Sequence, residues 1–524
     1  MFLLTASLAA LLACTDGDPS TADPTDDSGH GGTDGGGTEP PLLLPDSMET
    51  ARLLAHLDAL QAVADGHDST RLAGLSGYDQ SVAWATGVLE AAGYAVTLQP
   101  FLHALWQELS PPVLEVEALK SDLGADIATL QGSPAGEVSA PLAPVDLVLP
   151  PGAENSSTSG CEESDFDAFP AGHIALLQRG TCTFGEKALL AQQAGAAAVI
   201  LFNEGQPGRT EVLSGTLGES EGLSIPVLGA SFALGEALAA AGPVQVHLVV
   251  DALREERTVH NLWADLPGSA GGGGDAQAGV VVVGAHLDSV AAGPGIHDNG
   301  SGTALVLELA VQAATLGLQP AHDLRFALWG AEESGLIGSA YYVDQLDEAE
   351  AARHVANLNF DMIASENGAR FVYDGDGSAG LAGFPAPEGS DEVEALLTDW
   401  LDGQGQAWQA TAFDGRSDYG PFIWAGIPAG GLFTGAEGTK TDAQAETFGG
   451  QADAPFDACY HQACDTRDNI DPVLFLEMAR AAAAATERLA GGAVLGPAGD
   501  DRARLARRPP PPEGEGHGCV PPAR

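Results

Sequence analysis

The chain has 524 residues, 44% of them hydrophobic, so a large core can be buried and the length exceeds one ordinary domain; two domains plus tails is the expectation. Acidic residues number 73 against 21 basic ones, a formal net charge of -52, and lysine is confined to Lys120, Lys187 and Lys440. Such a chain repels nucleic acid and anionic membrane surfaces, and its excess acid reads as a solvated surface rather than as a site for a cationic partner.

Met1 to Ala13 is a short apolar stretch ending Leu11-Leu12-Ala13-Cys14. It has the core of a signal peptide and is too short to span a bilayer. A Cys directly after Leu-Leu-Ala resembles the lipobox of bacterial lipoproteins, which implies lipidation of Cys14 and a lipid anchor as the one membrane attachment. No Lys or Arg precedes the apolar run, so an ordinary signal peptide cut elsewhere stays open, and either one exports the protein to the cell envelope or beyond. Residues 15–47 are Asp, Gly, Thr, Pro and Ser with almost no large apolar residue before Leu42. They cannot bury enough surface to offset ordering entropy, and a flexible acidic linker is expected. The tail, residues 491–524, reads the same way.

Residues 48–109 carry helical periodicity, as in Ala51 to Leu60 and Ser81 to Glu90, followed by a strand-like Ala95 to Gln99. From 110 to 252 the pattern becomes short apolar runs broken by Gly and Pro, with one helix near 185–195. From 253 to 490 strands alternate with helices: strand 280–285, helix 302–316, strand 324–328, helix 335–345, strand 356–360. That texture predicts an α/β fold with a largely parallel or mixed central sheet, helices on both faces, and the middle segment inserted into it.

Of the six cysteines Cys14 goes to lipid or is cleaved away, and in an oxidising compartment the others sort into two pairs, Cys161 with Cys182 and Cys459 with Cys464, with Cys519 in the tail left over. A thiolate zinc site is the alternative, although the spacings do not resemble paired Cys-x-x-Cys knuckles.

The chemistry lies in acids and imidazoles that each follow an apolar run. His286 and Asp288 follow Val280 to Ala285, Glu332 and Glu333 follow Leu324 to Ala331, and Asp361 follows Asn357 to Phe360. These are carboxyl ends of strands, where open α/β sheets bind ligands. Between them stands His297-Asp298-Asn299-Gly300-Ser301-Gly302, whose glycines, with Gly293 and Gly295, allow a tight turn beside Asp298. Cys459-Tyr460-His461 closes the series. Any one of these residues alone reads as solvated or satisfied polar surface. Together they offer the O and N donors that two divalent metals need, which points to a hydrolase. His297 neighbours Asp298 but is undecided between site and solvent.

Two competing motifs are weaker. Gly218-Glu-Ser220-Glu-Gly222 matches the serine-hydrolase elbow, but no buried strand leads in and no helix follows before Pro226. No His-Glu-x-x-His occurs.

The strings Val283 to Val290, Gly293 to Gly302, Trp329 to Ser339, Asn359 to Ile363, Gly415 to Phe422 and Cys459 to Asp465 closely resemble the secreted bacterial di-zinc aminopeptidases, and Arg179 to Lys187 with Ala194 to Asn203 resembles a protease-associated (PA) domain, a mostly β module. The resemblance covers about residues 48–490. It implies two zinc ions per chain, with Asp298 bridging them, His286 and Asp361 completing one and Glu333 and His461 the other. It further implies Glu332 as general base and acid, Asp288 fixing the His286 ring, a cis peptide bond after Asp298, Tyr460 donating to the tetrahedral oxyanion, and Arg416 and Asp418 lining the substrate site. Residues of the Phe413 and Phe422 segments are expected to shape an apolar side-chain pocket. Peptides with a free amino terminus are the implied substrates. This sequence departs from the pattern at His297, where relatives commonly have Asn, and at Tyr419, where they often have His. A carboxypeptidase or dipeptidase of the same fold, and a catalytically dead peptide-binding lipoprotein, are the alternatives; the intact His286 argues against the one-metal glutaminyl cyclases. No motif supports a calcium site.

Overall fold

The computed structural model describes residues 43–116, 119, 123–218, 222–269 and 278–492. Cys14, the linker up to residue 42, Ser220, Cys519 and the tail beyond residue 492 lie outside the described residues.

Among the described residues, helices α1 (Leu44–Ser47), α2 (Thr50–Asp65) and α3 (Ser76–Ala91) come first. The fold thus begins inside the expected linker: Leu44 is fully buried, and the backbone N–H groups of Leu43 and Leu44 donate to Glu487 near the end of the last helix among the described residues. Pro45, which looked like linker composition, sits in the first turn of α1, where its missing N–H costs nothing.

The next elements are β1 (Val96–Val116), β2 (Ile127–Thr129), β3 (Gly136–Pro144), β4 (Ile174–Gln178), α4 (Phe184–Gln193), β5 (Ala198–Phe202), β6 (Val227–Ala230), α5 (Phe232–Ala241) and β7 (Gln245–Leu266). β1 and β7 form an antiparallel ribbon from Val96 opposite Ala264 to Val116 opposite Val246. Beyond one end of the ribbon, β3, β4, β5 and β6 lie side by side in parallel, with α4 and α5 packed on them. The disulfide Cys161–Cys182 lies in this part.

At the ribbon's other end, β7 pairs antiparallel with β9 (Asp323–Trp329), which neighbours β8 (Val280–His286), then β10 (His354–Phe360), β13 (Ala429–Phe433), β11 (Phe371–Tyr373) and β12 (Gln409–Thr411). Joining them are α6 (Gly300–Leu316), α7 (Ile337–Asp344), α8 (Glu348–Arg353), α9 (Ser390–Gly403) and α10 (Tyr419–Trp424), and α11 (Asp442–Phe448) and α12 (Pro472–Ala490) follow. The valine run explains itself by parity. Val281, Val283 and Ala285 pack with Leu57, Leu305 and Phe475 of α2, α6 and α12, while Val280 and Val282 pack on the other face with Tyr342 of α7 and Phe422 of α10. Both faces of the parallel strands are therefore covered, which is why the run is continuous rather than alternating.

Helix α5 escaped the sequence reading because Gly235 interrupts it. A Cβ there would collide with the Phe202 ring and its Cβ, so close helix–strand packing requires glycine. In an open helix, Gly→Ala stabilises by about 1 kcal/mol. At Gly235 overpacking should win: Gly235→Ala is expected to destabilise by about 1–3 kcal/mol, and Phe202→Leu should return part of the loss. A denaturation midpoint for G235A at or above that of the wild type would contradict this packing account.

Candidate active site

His286 is the last residue of β8, opposite Trp329 of β9, and Asp361 directly follows β10. The two strands flanking β8 run parallel to it, so all three deliver their groups at one edge of the sheet. Glu332 and Glu333 enter from the turn after β9, Asp298 from the loop before α6, and His461 from the loop closed by Cys459–Cys464. Asp298 stands between the two imidazoles. Its Oδ1 is 3.3 Å from His286 Nε2 and its Oδ2 is 3.1 Å from His461 Nε2. His286 Nε2 also has Asp361 Oδ1 at 3.4 Å and Glu332 Oε2 at 3.8 Å, and His461 Nε2 has Glu333 Oε2 at 3.0 Å.

All of these groups are buried or nearly so, yet His286 Nε2, Glu333 Oε1 and Asp361 Oδ1 have no hydrogen-bond partner. Buried donors and acceptors are normally paired, and unpaired ones pointing at a common centre suit a metal. The all-carboxylate and imidazole donor set, with no thiolate, fits zinc. The electrostatics carry the same strain. Burial lowers the His286 pKa, but Asp361, Glu332, Asp288 and Asp298 together hold it well above its usual range. For His461, Glu333 and Asp298 overcome burial and push it up to about 11. Glu332 lies well above the usual carboxylate range, first through burial and then through Asp418, Glu333 and Asp361, against the pull of His286. Burial alone would raise Asp298, but the close approach of the His286 and His461 rings and their positive charge hold it far below that range.

Several surrounding residues fix this arrangement. Asp288 lies 3.7 Å from His286 Nδ1, while its two oxygens accept the backbone N–H groups of Glu332 (3.1 Å) and Glu333 (3.3 Å), so its carboxylate fixes the glutamate turn more directly than the ring. The peptide bond after Asp298 is cis. Asn299 caps α6 through Gly302 N–H and donates to the Phe360 carbonyl, tying the Asp298 loop to the end of β10. Ala331, Met362 and His461 have φ of 57°, 51° and 56°, each within one residue of a site group or the group itself. Non-glycine residues in that region are strained and persist where the surroundings over-determine them.

Sequence reasoning missed three supports. Asp465 accepts the N–H groups of His297 (2.8 Å) and Asp298 (3.0 Å). Ser417 Oγ donates to Asp361 Oδ2 at 2.6 Å and receives from Asn359 Nδ2 at 2.8 Å. Arg71, fully buried, donates to the carbonyls of Leu287, Pro294 and Gly295, so one guanidinium holds both ends of the loop from β8 towards Asp298. Asp465 and Ser417 each stand within the quoted strings and could have been flagged; Arg71 has no local signal.

A cavity of about 520 Å³ opens over the cluster, lined by Asp298, Glu332, Glu333, Asp361, His461, Arg416 and Tyr460 and walled by Met362, Phe371, Tyr373, Phe433 and Phe456. Arg416 Nη2 donates to Tyr460 Oη at 3.1 Å, and Nη1 to Glu437 at 2.9 Å. Two expectations are corrected here, and the open position of His297 is settled. Asp418 does not line the cavity; it is fully buried behind Glu332, its oxygens make no hydrogen bond of normal geometry, and burial pushes its carboxyl up to about 7. Phe422 belongs to the core under Trp329 and Tyr342, whereas the Phe413 segment does reach the cavity through Ala412, Asp414 and Gly415, with Phe413 itself backing the wall by stacking on Tyr373, ring centroids 5.0 Å apart. His297 is neither ligand nor solvent-facing. It is fully buried, with Nδ1 2.7 Å from Asp457 and Nε2 accepting the Ala364 N–H, and so braces the Asp298 loop from beneath.

The model of peptidase family M28 matches residues 261–486, and that of the PA domain residues 138–238. The chain is 44% identical over 435 residues to an aminopeptidase of Pseudomonas aeruginosa, across 82% of this chain and 79% of that one. It is 39% identical over 484 residues to leucine aminopeptidase 2 of Arthroderma otae, across 91% of each. The solved structure of BSAP, a zinc aminopeptidase from Bacillus subtilis, is similar at a TM-score of 0.61 and 25% identity, across 86% of this chain and 97% of that one.

Arg71 offers a test of the site's support from outside the motifs. Arg71→Met keeps the length and apolar stem but strands three carbonyls and removes a buried cation from among Asp288, Asp465, Asp298 and Glu333. A loss of about 3–5 kcal/mol of stability is expected, together with weaker zinc retention on dialysis. Unchanged zinc content and thermal midpoint would show that the loop holds itself.

Proposed function

Because the chain belongs to peptidase family M28 and is a zinc metallo-aminopeptidase with a PA domain, we propose that it removes apolar amino-terminal residues from peptides at a two-zinc centre, with Glu332 as general base. The observation that carries this reading is Asp298, whose two oxygens face different imidazoles. In this reading His286 and Asp361 would hold one zinc, Glu333 and His461 the other, and Asp298 would be shared between them. Bound zinc ions supply a water of lowered pKa and polarise the scissile carbonyl.

The chain's own residues do the remainder. Glu332, beside His286 and facing the cavity, takes the proton of the attacking water and returns it to the leaving amine. Its raised pKa suits the first role, since the more basic carboxylate takes the water's proton more readily and keeps it until the amine departs. Tyr460, held by Arg416 and stacked on the His461 ring, donates to the oxyanion. Met362, Phe371, Phe433 and Phe456 favour an apolar first side chain, while Glu332 and Asp361 at the cavity floor attract a free ammonium and disfavour a terminal carboxylate. That asymmetry of charge argues for an aminopeptidase over a carboxypeptidase. Segments 48–109 and 253–490 form the peptidase part in this reading, with 110–252 inserted, and Cys14 anchors an exported chain.

Leucine anilide should be hydrolysed, its N-acetyl analogue spared, and chelation should abolish turnover reversibly. Glu332→Gln should lower kcat by at least about 10³-fold with zinc content unchanged. Turnover of acetylated substrate, or full activity in E332Q, would overturn the reading.

The acid limb of kcat/KM gives a second test. Glu332 must be ionised to accept a proton, so activity falls as pH drops through its raised pKa. Asp418 contributes to that elevation as a like charge. Asp418→Asn should therefore move the acid limb to lower pH; an unmoved limb would separate Asp418 from the base.

A further inference from the structure

The aromatic wall of the catalytic cavity is backed by a buried charge. Lys440, shortly before α11, is only 1% exposed. Among the described residues no acid offsets its burial, which alone lowers its pKa. In a chain with 73 acidic residues, an ammonium buried without one needs a reason, because taking a charge out of water is costly unless its donors are satisfied. Nζ donates to the carbonyls of Gly368 and Gly449, each at 2.8 Å, and lies 5.7 Å from the centre of the Phe456 ring. Two carbonyl dipoles and an aromatic face therefore take the place of a carboxylate.

These contacts join three passages of chain. Gly368 leads into β11, Gly449 directly follows α11, and the Lys440 backbone pairs with Ala454 and Asp453, each at 2.9 Å, just ahead of Phe456. Asn367 closes the same knot, its Nδ2 donating to the Pro455 carbonyl at 2.9 Å and its Oδ1 accepting the Gln451 N–H at 2.8 Å. The fit is tight. Gly449 and Gly450 have φ of 80° and 82°, and a Cβ at Gly450 would stand 3.0 Å from Nζ and 2.1 Å from Asn367 Oδ1. Two of the passages carry Phe371 and Phe456, whose rings meet edge to face with centroids 5.3 Å apart, and both line the cavity. Phe456 also lies directly against Gly435, where any side chain would collide with it.

We infer that Lys440 is a positioning residue for substrate selection: by drawing the Gly368 and Gly449 carbonyls together under Phe456, it holds Phe371 and Phe456 at the spacing that favours a large apolar first side chain. The inference rests on the apolar pocket proposed above. The groups around Asp298 come from β8, the turn after β9, the end of β10 and the loop closed by Cys459–Cys464, and among the described residues Lys440 hydrogen-bonds to none of these segments. Loss of the ammonium should therefore weaken side-chain binding and spare the chemical step.

The test compares hydrolysis of leucine and alanine anilides by the zinc-loaded full-length protein in wild type, K440M, K440Q, F456L and the double variant K440M/F456L. K440M keeps the apolar stem and removes charge and donors, whereas K440Q keeps two N–H donors without the charge. K440M should raise KM for leucine anilide about tenfold with kcat within about threefold, while kcat/KM for alanine anilide changes by less than about threefold. K440Q should shift the same way by less, and zinc content should stay at the wild-type value in both. F456L should also lower the preference for leucine over alanine, and K440M should lower it little further in the F456L background, since a residue that acts through Phe456 couples with it. An unchanged preference in K440M, an equal fall on both substrates carried by kcat, or full additivity with F456L would each overturn the assignment. So would loss of the fold in both K440M and K440Q, which would mark Lys440 as a support of the whole domain. A wild type that cleaves leucine anilide no faster than alanine anilide would sink the apolar pocket and the assignment with it, a failure set apart because it shows in the unaltered enzyme.

Discussion

The constraint on which the site rests is the burial of Asp298 between two imidazoles. A carboxylate taken out of water costs several kcal/mol unless opposite charge and donors surround it. Here each oxygen has its own histidine, at 3.3 and 3.1 Å, and the backbone N–H of Asp298 is fixed by Asp465. Yet Glu332, Glu333 and Asp361 crowd the same space, so two histidines cannot balance the acid, and three of the converging atoms stay unpartnered. The protein alone leaves this cluster electrostatically incomplete. In the proposed reading cations would complete it, and the same incompleteness that makes the metal-free site unfavourable would become affinity for zinc.

Holding such a cluster in place needs rigid support, and the fold supplies it where strand ends meet. Parallel strands β8, β9 and β10 set the spacing of His286, the glutamate turn and Asp361, while Asn299 stitches the Asp298 loop to the Phe360 carbonyl. Arg71 adds support from the N-terminal helical segment, and it binds carbonyl oxygens rather than acids. That choice makes sense. A guanidinium paired directly with a site carboxylate would compete with the metal, whereas one placed on the loop backbone lends positive charge without occupying a donor.

How much of this was legible in the sequence follows from how local each signal is. His286, Asp298, Glu332, Glu333, Asp361 and His461 each end an apolar run or sit in a glycine-rich or cysteine-bounded turn, so pattern alone exposed them. Asp418 and Phe422 stand in a legible string too, but a motif says nothing of which side of a short helix faces the cavity. α10 points Phe422 under Trp329 and leaves Asp418 sealed behind Glu332. The walls of the cavity were illegible for another reason. Phe371, Phe433 and Phe456 are far apart in the chain and are brought together by β11, β13 and the loop after α11, so only the tertiary fold assigns them. His297 was ambiguous because a histidine beside a ligand looks the same whether it binds or braces, and only its contact with Asp457 decides.

The inserted segment is joined to the site by structure that no motif announces. β7 runs without interruption from Gln245, where it pairs with β3, to Leu266, where it pairs with β9. Asn261 within it is fully buried, donates to the Gly338 carbonyl at 2.8 Å and accepts the Gly330 N–H at 3.1 Å. Gly330 immediately precedes the strained Ala331 and then Glu332. Tyr78 of α3 donates to the neighbouring His260 carbonyl at 2.7 Å and leaves no room for a side chain at Gly330. The turn that carries the acid pair is thus clamped from one side by Asp288 and from the other by a strand continuous with the insertion. A covalent strand is stiffer along its length than a packed contact, so the root of the inserted segment forms part of the support of Glu332 rather than an appendage to it.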